Sequence, residues 1–399
     1  MNQEEKIIQS YKKLKSYIEN HNYSGYDPYD ALNSKKIHSI KNRYFQLILT
    51  QLFVYSPINL RKQFHIKEEK NPKALALILS SYCNAYKAEL ITKDEFNKKT
   101  KKIIHDLLQL RSQDYTHYCW GFNFPWQDLN RYSPKWLPTI VISSYVGHAF
   151  IDFYDITKKQ EYLNIAKSIA NFILKDLNQT ETKNGICFSY TPIDTLTVYN
   201  ANSLGASLLT RLSQYTKNKE LILTSKKAMD FTIYHQKNNG SWAYSTNLKN
   251  GKERNQIDFH QGFILDSIID FIKNNKTQSD PYQTSLQQGI NFYFNQQFEQ
   301  NGQSKWRLPL RNPVDIHLQA QGIITFTKMY NLTKEKKYLK LAKKISIWTI
   351  KHMQDKEGHF YYQKWPFYTN KISYMRWNQS WMILALSLLI LAMKQKEMT

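Results

Sequence analysis

The feature that most constrains the fold is an internal repeat. The segment KKQEYLNIAKSIANFI, which begins at Lys158, resembles KEKKYLKLAKKISIWTI, which begins at Lys334. Tyrosine, leucine, alanine and isoleucine occupy matching places, and the offset from Tyr162 to Tyr338 corresponds to three units. Residues 219–234 and 282–294 fill the two units between them. Because apolar residues recur at three- and four-residue spacing, each unit is expected to be a helical hairpin.

A glycine turn occurs once in each of four repeat units. Each follows a predicted outer helix, where a left-handed residue can end the helix and the next aromatic can pack back on the hairpin. These glycines are Gly185, Gly240, Gly302 and Gly358. After each one, a loop leads to a second, inner helix. The inner helices are expected to begin near Asn202, His260, His317 and Asn378, and an earlier one is expected from about Thr139 to Asp155.

This order predicts an all-α fold, an α/α toroid (barrel) of repeated helical hairpins. An open solenoid is the alternative. Long, aromatic-rich loops before each inner helix favour the toroid, where they would gather at one mouth. Residues 1–70 are expected to form an N-terminal helical cap or lead-in, and residues 71–399 the toroid domain. Only 12 glycines and 11 prolines occur, which argues against an all-β sandwich or a glycine-looped nucleotide fold.

The formal net charge of +23 indicates attraction to an anionic partner or a strongly solvated basic surface. Lysines are spread along the predicted helices, so both interpretations remain. The expected partner is an acidic glycan or a lipid-linked oligosaccharide, with a peripheral contact to an anionic membrane. Nucleic acid is not expected, because no recognition module is present. The sequence indicates no oligomeric state.

Three separated cysteines, Cys83, Cys119 and Cys187, suit a reducing compartment and no zinc site. The N-terminus reads as an amphipathic helix and not as a signal peptide. The longest apolar run, from Trp381 to Met393, is too short to span a bilayer. We therefore expect a cytoplasmic protein, soluble or peripheral at the inner membrane. No P-loop and no GxGxxG motif occurs, and no cofactor is expected.

Polar residues recur where the inner helices begin. Asn200-Ala-Asn202 aligns with Asp258-Phe-His260, Asp315-Ile-His317 and Arg376-Trp-Asn378. Such residues can act as helix caps. The recurrence of Asp, His and Arg favours the lining of one pocket, since buried polar groups need partners. Gln261, Gln319, Gln321 and Gln379 extend this predicted lining.

Aromatic and basic residues on the loops complete the predicted substrate-binding set. Aromatic rings stack on sugars, and arginines pair with carboxylates. The aromatics are Trp120, Trp126, Trp242 and Trp377; the basic residues are Arg307, Arg311 and His148.

Three chemistries fit these residues. The first is proton abstraction at C5 of a uronate, as in an epimerase or a lyase, with His260, His317 or Tyr190 as acid–base groups. The second is glycoside hydrolysis by the pair Asp258 and Asp315. The third, a metal held by the Asp-x-His elements, is disfavoured because the two side chains of such an element at a helix start rarely face one ion, so no metal is expected. A non-catalytic glycan-binding or scaffold protein remains an alternative.

Six phrases carry a family resemblance: GYDPYDALNS (residues 25–34), NPKALAL (71–77), WGFNFPWQ, FSYTPID, NANSLGASLL and DIHLQAQ. They resemble a family of bacterial α/α-toroid proteins from surface-polysaccharide gene clusters, over nearly the whole chain. The resemblance implies a role in forming capsule, exopolysaccharide or lipopolysaccharide. More distantly, the toroid is similar to those of glucuronyl C5-epimerases, acylglucosamine 2-epimerases and uronate-specific glycoside hydrolases. No catalytic motif of those enzymes matches residue by residue, so no role is carried over.

Overall fold

The computed structural model describes residues 2–127, 132–275 and 280–397, and these parts of the chain are mostly helical. The helices are α1 (Gln3–Asn20), α2 (Lys35–His38), α3 (Arg43–Tyr55), α4 (Pro72–Lys87), α5 (Lys93–Gln109), α6 (Ile140–Thr157), α7 (Gln160–Asn171), α8 (Tyr199–Ser213), α9 (Lys219–Tyr234), α10 (His260–Asn275), α11 (Asp280–Gln296), α12 (Ile316–Thr333), α13 (Lys336–Met353) and α14 (Ser380–Glu397). Two π-helical turns occur in these parts of the chain: Phe172–Asp176 follows α7, and Met375–Gln379 leads directly into α14.

A closed ring of inner helices forms the centre of the molecule. Helices α4, α6, α8, α10, α12 and α14 each contact the next, and α14 contacts α4. These helices are buried on most of their surface, as expected for elements that are covered on two sides. The predicted α/α toroid is therefore confirmed, because an open solenoid would leave its first and last inner helices apart.

The outer layer consists of the second helix of each hairpin together with the first helix of the chain. Helices α5, α7, α9 and α13 pack on the inner helices that precede them, and α11 packs on α10. Helix α1 contacts α13 and α14, so it covers the last inner helix. Within the segment expected to be a lead-in, α1 thus lies in the outer layer. The division into domains at residue 70 stays a prediction.

The four repeat glycines have left-handed backbone conformations, as predicted, with φ between +89° and +122°. They do not end the outer helices, however. Helix α9 ends at Tyr234, and Gly240 lies in the turn beyond it. A Cβ at Gly240 would lie 2.3 Å from the carbonyl oxygen of Gln288 in α11. The glycine therefore lets this turn pass directly beneath the next outer helix. The last repeat glycine, Gly358, approaches Lys13 of α1 in the same way, which places α1 as the next outer helix of the ring.

Short antiparallel strands connect the loops at the mouth, which is the end of the ring where the inner helices begin. The strands are β1 (Ser24–Gly25), β2 (Glu69–Lys70), β3 (Trp126–Gln127), β4 (Tyr132–Ser133), β5 (Gln179–Thr182), β6 (Gly185–Phe188), β7 (Thr197–Val198), β8 (Ser245–Asn247), β9 (Lys252–Arg254), β10 (Val314–Asp315), β11 (Gln363–Lys364) and β12 (Thr369–Asn370). Strand β8 pairs with β7 and β9, and β11 pairs with β10 and β12. These sheets link the loop before one inner helix to the loop before the next.

A repeated hydrogen bond fixes each loop to the start of an inner helix. In α10, the side-chain oxygen of Gln261 accepts from the backbone N–H of Trp242 at 2.9 Å, and its Nε2 donates to the carbonyl of Trp242 at 2.8 Å. The same oxygen-to-N–H bond joins Asn202 to Phe188, Gln319 to Ser304, and Gln379 to Phe360. We call these four side chains the amide clamps.

The amide clamps correct the alignment of the repeat. Asn202, Gln261, Gln319 and Gln379 recur at nearly equal intervals along the chain. The polar pattern of the sequence instead aligns Asn202 with His260, His317 and Asn378. That alignment is wrong by one position at His260 and Asn378 and by two at His317. The error arises because the loops before the inner helices differ in length, which the polar pattern alone does not reveal.

Replacement of Gln261 by alanine tests the amide clamp. We expect Gln261→Ala to lower the free energy of unfolding by about 3 kcal/mol, because the buried N–H and carbonyl of Trp242 both lose their partner. Chemical denaturation measures the change. The exposed Gln283→Ala on α11 is the control and should cost less than about 0.5 kcal/mol. Equal losses in the two variants would contradict a clamping role.

Candidate active site at the mouth of the toroid

A cavity of about 700 Å³ opens at the mouth, on the axis of the ring. Its wall repeats with the helices. Two positions before each amide clamp, one side chain faces the cavity: Asn200, Phe259, His317 and Trp377. Val141 occupies the corresponding place in α6, where the hydroxyl of Ser143 accepts from the backbone N–H of Trp120. The five lining positions therefore follow from the helical repeat itself.

His260 lines the cavity and is held by Asp258. The Nδ1 of His260 lies 2.5 Å from Oδ1 of Asp258, and the same oxygen accepts from the backbone N–H of His260 at 3.1 Å. Gln256 donates to Oδ2 at 2.7 Å, and Nε of Arg307 lies 3.6 Å from that oxygen. Burial opposes ionisation of Asp258, but His260 and these hydrogen bonds outweigh it and keep its pKa below the usual value. With Nδ1 engaged, Nε2 is the ring nitrogen of His260 that remains for a ligand.

His317 also lines the cavity, but it is enclosed by aromatic rings. Its ring stacks on Phe259 at 4.3 Å and on Trp381 at 4.5 Å between centroids. Neither ring nitrogen has a hydrogen-bond partner among the described residues. Burial, together with the nearby charges of Lys73 and Arg376, lowers the pKa of His317 well below its usual value. The imidazole is therefore neutral at physiological pH.

Asp315 caps α12 and does not line the cavity. Its Oδ1 accepts from the backbone N–H of His317 at 2.9 Å and from Nε1 of Trp377 at 3.0 Å. Its Oδ2 accepts from Nε2 of Gln363 at 2.9 Å. Burial raises the pKa of this carboxyl to about 6. These contacts match the helix-cap alternative considered for this position.

Lys73, in the first turn of α4, lies at the floor of the cavity and is buried. Its Nζ lies 4.7 Å from the ring centroid of Tyr145, 5.0 Å from that of Trp381 and 5.4 Å from that of Phe263. In the described parts of the chain it has no salt-bridge partner. Burial, reinforced by Arg376, holds the pKa of Lys73 well below its usual value, although Asp27 offsets this in part. The floor thus contains a buried amine without a counter-ion.

Arg376 lies next to Lys73 and is already paired. Its Nε donates to Oδ2 of Asp27 at 2.5 Å, and its Nη2 donates to Oδ1 at 2.8 Å. The guanidinium also lies 5.3 Å from the ring centroids of Phe122 and Trp377. Asp27 belongs to the N-terminal segment, so this segment fixes a side chain of the last repeat in place.

The structure brings eight of the predicted site residues to the cavity: Trp126, Tyr190, Asn200, His260, Arg307, His317, Arg376 and Trp377. The Oδ1 of Asn200 is buried without a hydrogen-bond partner among the described residues. Asp258 and Asp315 lie directly behind this wall. Whether these residues act on a substrate remains a prediction.

Other predicted residues lie away from the cavity, and their contacts correct the expectation that they line it. Asn202, Gln261, Gln319 and Gln379 are amide clamps. Asn378 donates to the carbonyls of Phe360 and Ile372, both at 3.0 Å. The indoles of Trp120 and Trp242 are core side chains that donate to backbone carbonyls at 2.8 and 2.9 Å.

The three remaining predicted residues also lie outside the cavity lining. Gln321 lies further along α12, where its side chain donates to Asp266 of α10 at 2.8 Å. His148 contacts the hydroxyl of Ser207 at 3.2 Å, and burial lowers its pKa to about 4. The side chain of Arg311 is 73% exposed.

Sequence reasoning missed two parts of the site. One is Lys73, whose only signal is a lysine at the start of the otherwise apolar helix in NPKALAL. The other is α3, which belongs to the segment expected to be a lead-in but forms one wall of the cavity. Its lining residues are Tyr44, Leu47, Ile48, Gln51, Val54 and Tyr55. The sequence signal for α3 is that most of its residues are apolar, which indicates packing on more than one side.

Several solved structures share this fold. The chain is similar to cellobiose 2-epimerase from Bacillus thermoamylovorans, with a TM-score of 0.65 and 15% identity over 82% of this chain and 90% of that one. It is similar to a GH76 alpha-mannanase from Bacteroides thetaiotaomicron, with a TM-score of 0.64 and 14% identity over 93% and 99% of the two chains. A D-mannose isomerase gives a TM-score of 0.62 and 13% identity over 80% and 86%. No family model and no curated protein matches the sequence. At these identities the likeness shows the α/α-toroid fold.

None of the described helices is long and apolar enough to cross a membrane.

Replacement of Lys73 by methionine tests the buried amine. In the unfolded chain this lysine binds a proton up to about pH 10, whereas in the folded chain it releases the proton at lower pH. Wild-type stability should therefore rise with pH across that window. We expect Lys73→Met to stabilise the fold by about 1 to 2 kcal/mol at pH 6, and by less at pH 9. Urea unfolding at both pH values measures this, with the exposed Lys340→Met as the control. A destabilised Lys73→Met variant at pH 6 would contradict the description of this site.

Proposed function

We propose that this protein is a carbohydrate-active enzyme that acts on a uronate-containing glycan by proton transfer, as a C5-epimerase or a lyase does. The main support is that His260, held by Asp258, lines the cavity whose floor contains the unpaired amine of Lys73. A base near a cation is the arrangement needed to remove a proton next to a carboxylate. The polysaccharide role implied by the family resemblance is part of this proposal.

His260 is the candidate base. Asp258 fixes the orientation of its ring through Nδ1, and its negative charge stabilises the imidazolium that forms when Nε2 takes a proton. Tyr190 is the candidate for the second acid–base group that an epimerase requires, since it also lines the cavity. His317 suits this role less well, because its low pKa makes it a weak base. Instead, the neutral ring of His317 can donate a hydrogen bond to a sugar hydroxyl or accept one from it.

Lys73 and Arg376 are the candidate carboxylate site. Negative charge moves onto the carboxylate when the C5 proton leaves, so cations placed there stabilise the transition state. Arg376 already has Asp27 as its partner, and Lys73 has none among the described residues. A ligand carboxylate would supply the missing counter-charge and favour the protonated form of Lys73.

The similar structures support a sugar substrate, since they are an epimerase, a mannanase and an isomerase of sugars. Hydrolysis remains the second candidate because a mannanase is among them. The geometry favours it less, because the carboxylates of Asp258 and Asp315 accept hydrogen bonds from protein groups behind the cavity wall. Neither carboxylate is among the residues that line the cavity.

Deuterium exchange tests the proton-transfer step. We expect the wild-type protein to incorporate deuterium from D2O at C5 of a uronate in acidic oligosaccharides. His260→Ala and Asp258→Asn should reduce the rate by about 100-fold or more, because the base is lost or loses its orientation. Mass spectrometry and NMR measure the exchange. The exposed His105→Ala on α5 is the matched control.

Other outcomes of that experiment separate the alternatives. New reducing ends without exchange and without a 4,5-unsaturated uronate, abolished by Asp258→Asn or Asp315→Asn, would replace the proposal by a glycoside hydrolase. Glycan binding without any reaction, unchanged in these variants, would replace it by a binding protein.

Calorimetry tests the carboxylate site separately from catalysis. Because a bound carboxylate favours protonated Lys73, binding of a uronate oligosaccharide should take up a proton, and its affinity should fall as the pH rises. Lys73→Met should weaken this binding by about tenfold or more and remove the proton uptake. Titrations in two buffers of different ionisation enthalpy measure both effects. Equal affinity of the wild-type and variant proteins for the uronate would count against Lys73 as the carboxylate ligand.

A further inference from the structure

Helix α3 carries large apolar side chains on its exposed face. The opposite face packs inward through Leu47, Phe53 and Val54 and closes the cavity. Five of its side chains are each at least 49% exposed: Phe45 and Leu52, which do not line the cavity, and Tyr44, Ile48 and Tyr55, which do. Ile58, just beyond the helix, continues this surface. A helix that is apolar on both faces needs a second partner besides the core of its own domain.

The other loops at the mouth carry similar side chains. Phe367, between β11 and β12, is 99% exposed, and Tyr368 follows it. Ile193 and Leu196 lie before β7, and Leu310 lies before β10. Leu248 lies in the loop between β8 and β9, and Tyr132 is the first residue of β4. Among the described residues, the exposed large apolar side chains outside α3 and these loops are Ile58, Leu223 and Tyr234, the last two on α9. Exposed apolar surface is therefore concentrated around the cavity mouth.

The charge of this region has one sign. Residues 31–67 contain seven lysines and arginines and no aspartate or glutamate. Arg61 is buried, and the other six are exposed: Lys35, Lys36, Lys41, Arg43, Lys62 and Lys67. The basic residues flank α3 on both sides along the chain. This combination of an apolar helix face and flanking cations is typical of helices that lie in the interface of an anionic membrane.

We infer that the mouth of the toroid docks on the surface of an anionic lipid bilayer, with α3 lying in the interface. A bilayer suits these residues better than a protein partner does. Besides those on α3, the exposed apolar side chains come one or two at a time from several separate loops around the opening. Residues 31–67 hold exposed lysines and no acidic side chain of their own, so lipid phosphates would attract this segment.

Docking in this way turns the cavity towards the lipid headgroups. A glycan attached to a lipid carrier could then enter the cavity while its lipid remains in the bilayer. This second step rests on the proposed function, whereas the docking itself does not.

Vesicle sedimentation with the full chain tests the docking. We expect binding to vesicles of phosphatidylcholine with about a third phosphatidylglycerol, weak binding to phosphatidylcholine alone, and weaker binding as salt rises. The double variant Phe45→Gln/Leu52→Gln should lose about tenfold or more in affinity, since it removes two apolar contacts. These two residues do not line the cavity, so exchange activity on a soluble oligosaccharide should persist.

Charge and control variants sharpen the result. Lys35→Gln/Lys36→Gln/Lys41→Gln should reduce affinity for the anionic vesicles roughly fivefold per lysine. Leu223→Gln/Tyr234→Gln removes equally exposed side chains from α9 and should bind as the wild type does. Unchanged melting temperatures exclude misfolding as the cause.

Two results would overturn the inference. One is vesicle binding that the α3 substitutions leave unchanged, including the case in which neither the wild type nor the variant binds. The other is concentration-dependent self-association of the wild type without vesicle binding, abolished by Phe45→Gln/Leu52→Gln, which would assign the surface to a second copy of the chain. Vesicle binding is measured without turnover, so failure of the proposed chemistry leaves this test intact.

Discussion

The hydrogen bonds of the amide clamps determine the geometry of the mouth. Each clamp lies in the first turn of an inner helix and binds the backbone of the loop segment that follows a repeat glycine. A side-chain amide suits this position because it can accept from an N–H and donate to a carbonyl at once, as Gln261 does with Trp242. Two positions earlier, the side chain faces the axis. The clamps therefore determine which side chains of the inner helices reach the cavity.

The ring arrangement also explains the electrostatics of the cavity. Six inner helices direct their N-terminal ends towards it, so the positive ends of their dipoles face the same space as the amine of Lys73. Asp27, Asp258 and Asp315 lie behind the wall and neutralise part of this potential, each held by hydrogen bonds to protein groups. The anionic ligand that we propose would complement this potential. The low pKa of His317 and of Lys73 has the same origin, since both are buried in a region that is already positive.

The N-terminal segment is what makes the repeated toroid asymmetric. Helix α1 covers the last inner helix, Asp27 holds Arg376, and α3 forms a cavity wall whose outer face is apolar. Without this segment, the repeats would leave α14 uncovered and the cavity open on one side. This segment thus covers the last inner helix, shapes the site and presents the surface that we assign to a membrane.

The sequence by itself determined the repeat, the helical hairpins and the left-handed glycines, because apolar spacing and the need for a positive φ are local properties of the chain. It also indicated His260 as a candidate acid–base group, whereas the contact between this ring and Asp258 emerged only from the structure. Only the tertiary structure decided which polar residue at each helix start faces the axis, since a shift of one position turns a side chain by about 100° around a helix. Asn202 and Gln319 became clamps, whereas Asn200 and His317 reached the cavity. The environment of Lys73 could not be read from the sequence either, because Tyr145, Phe263 and Trp381 come from three different helices and meet only when the ring closes.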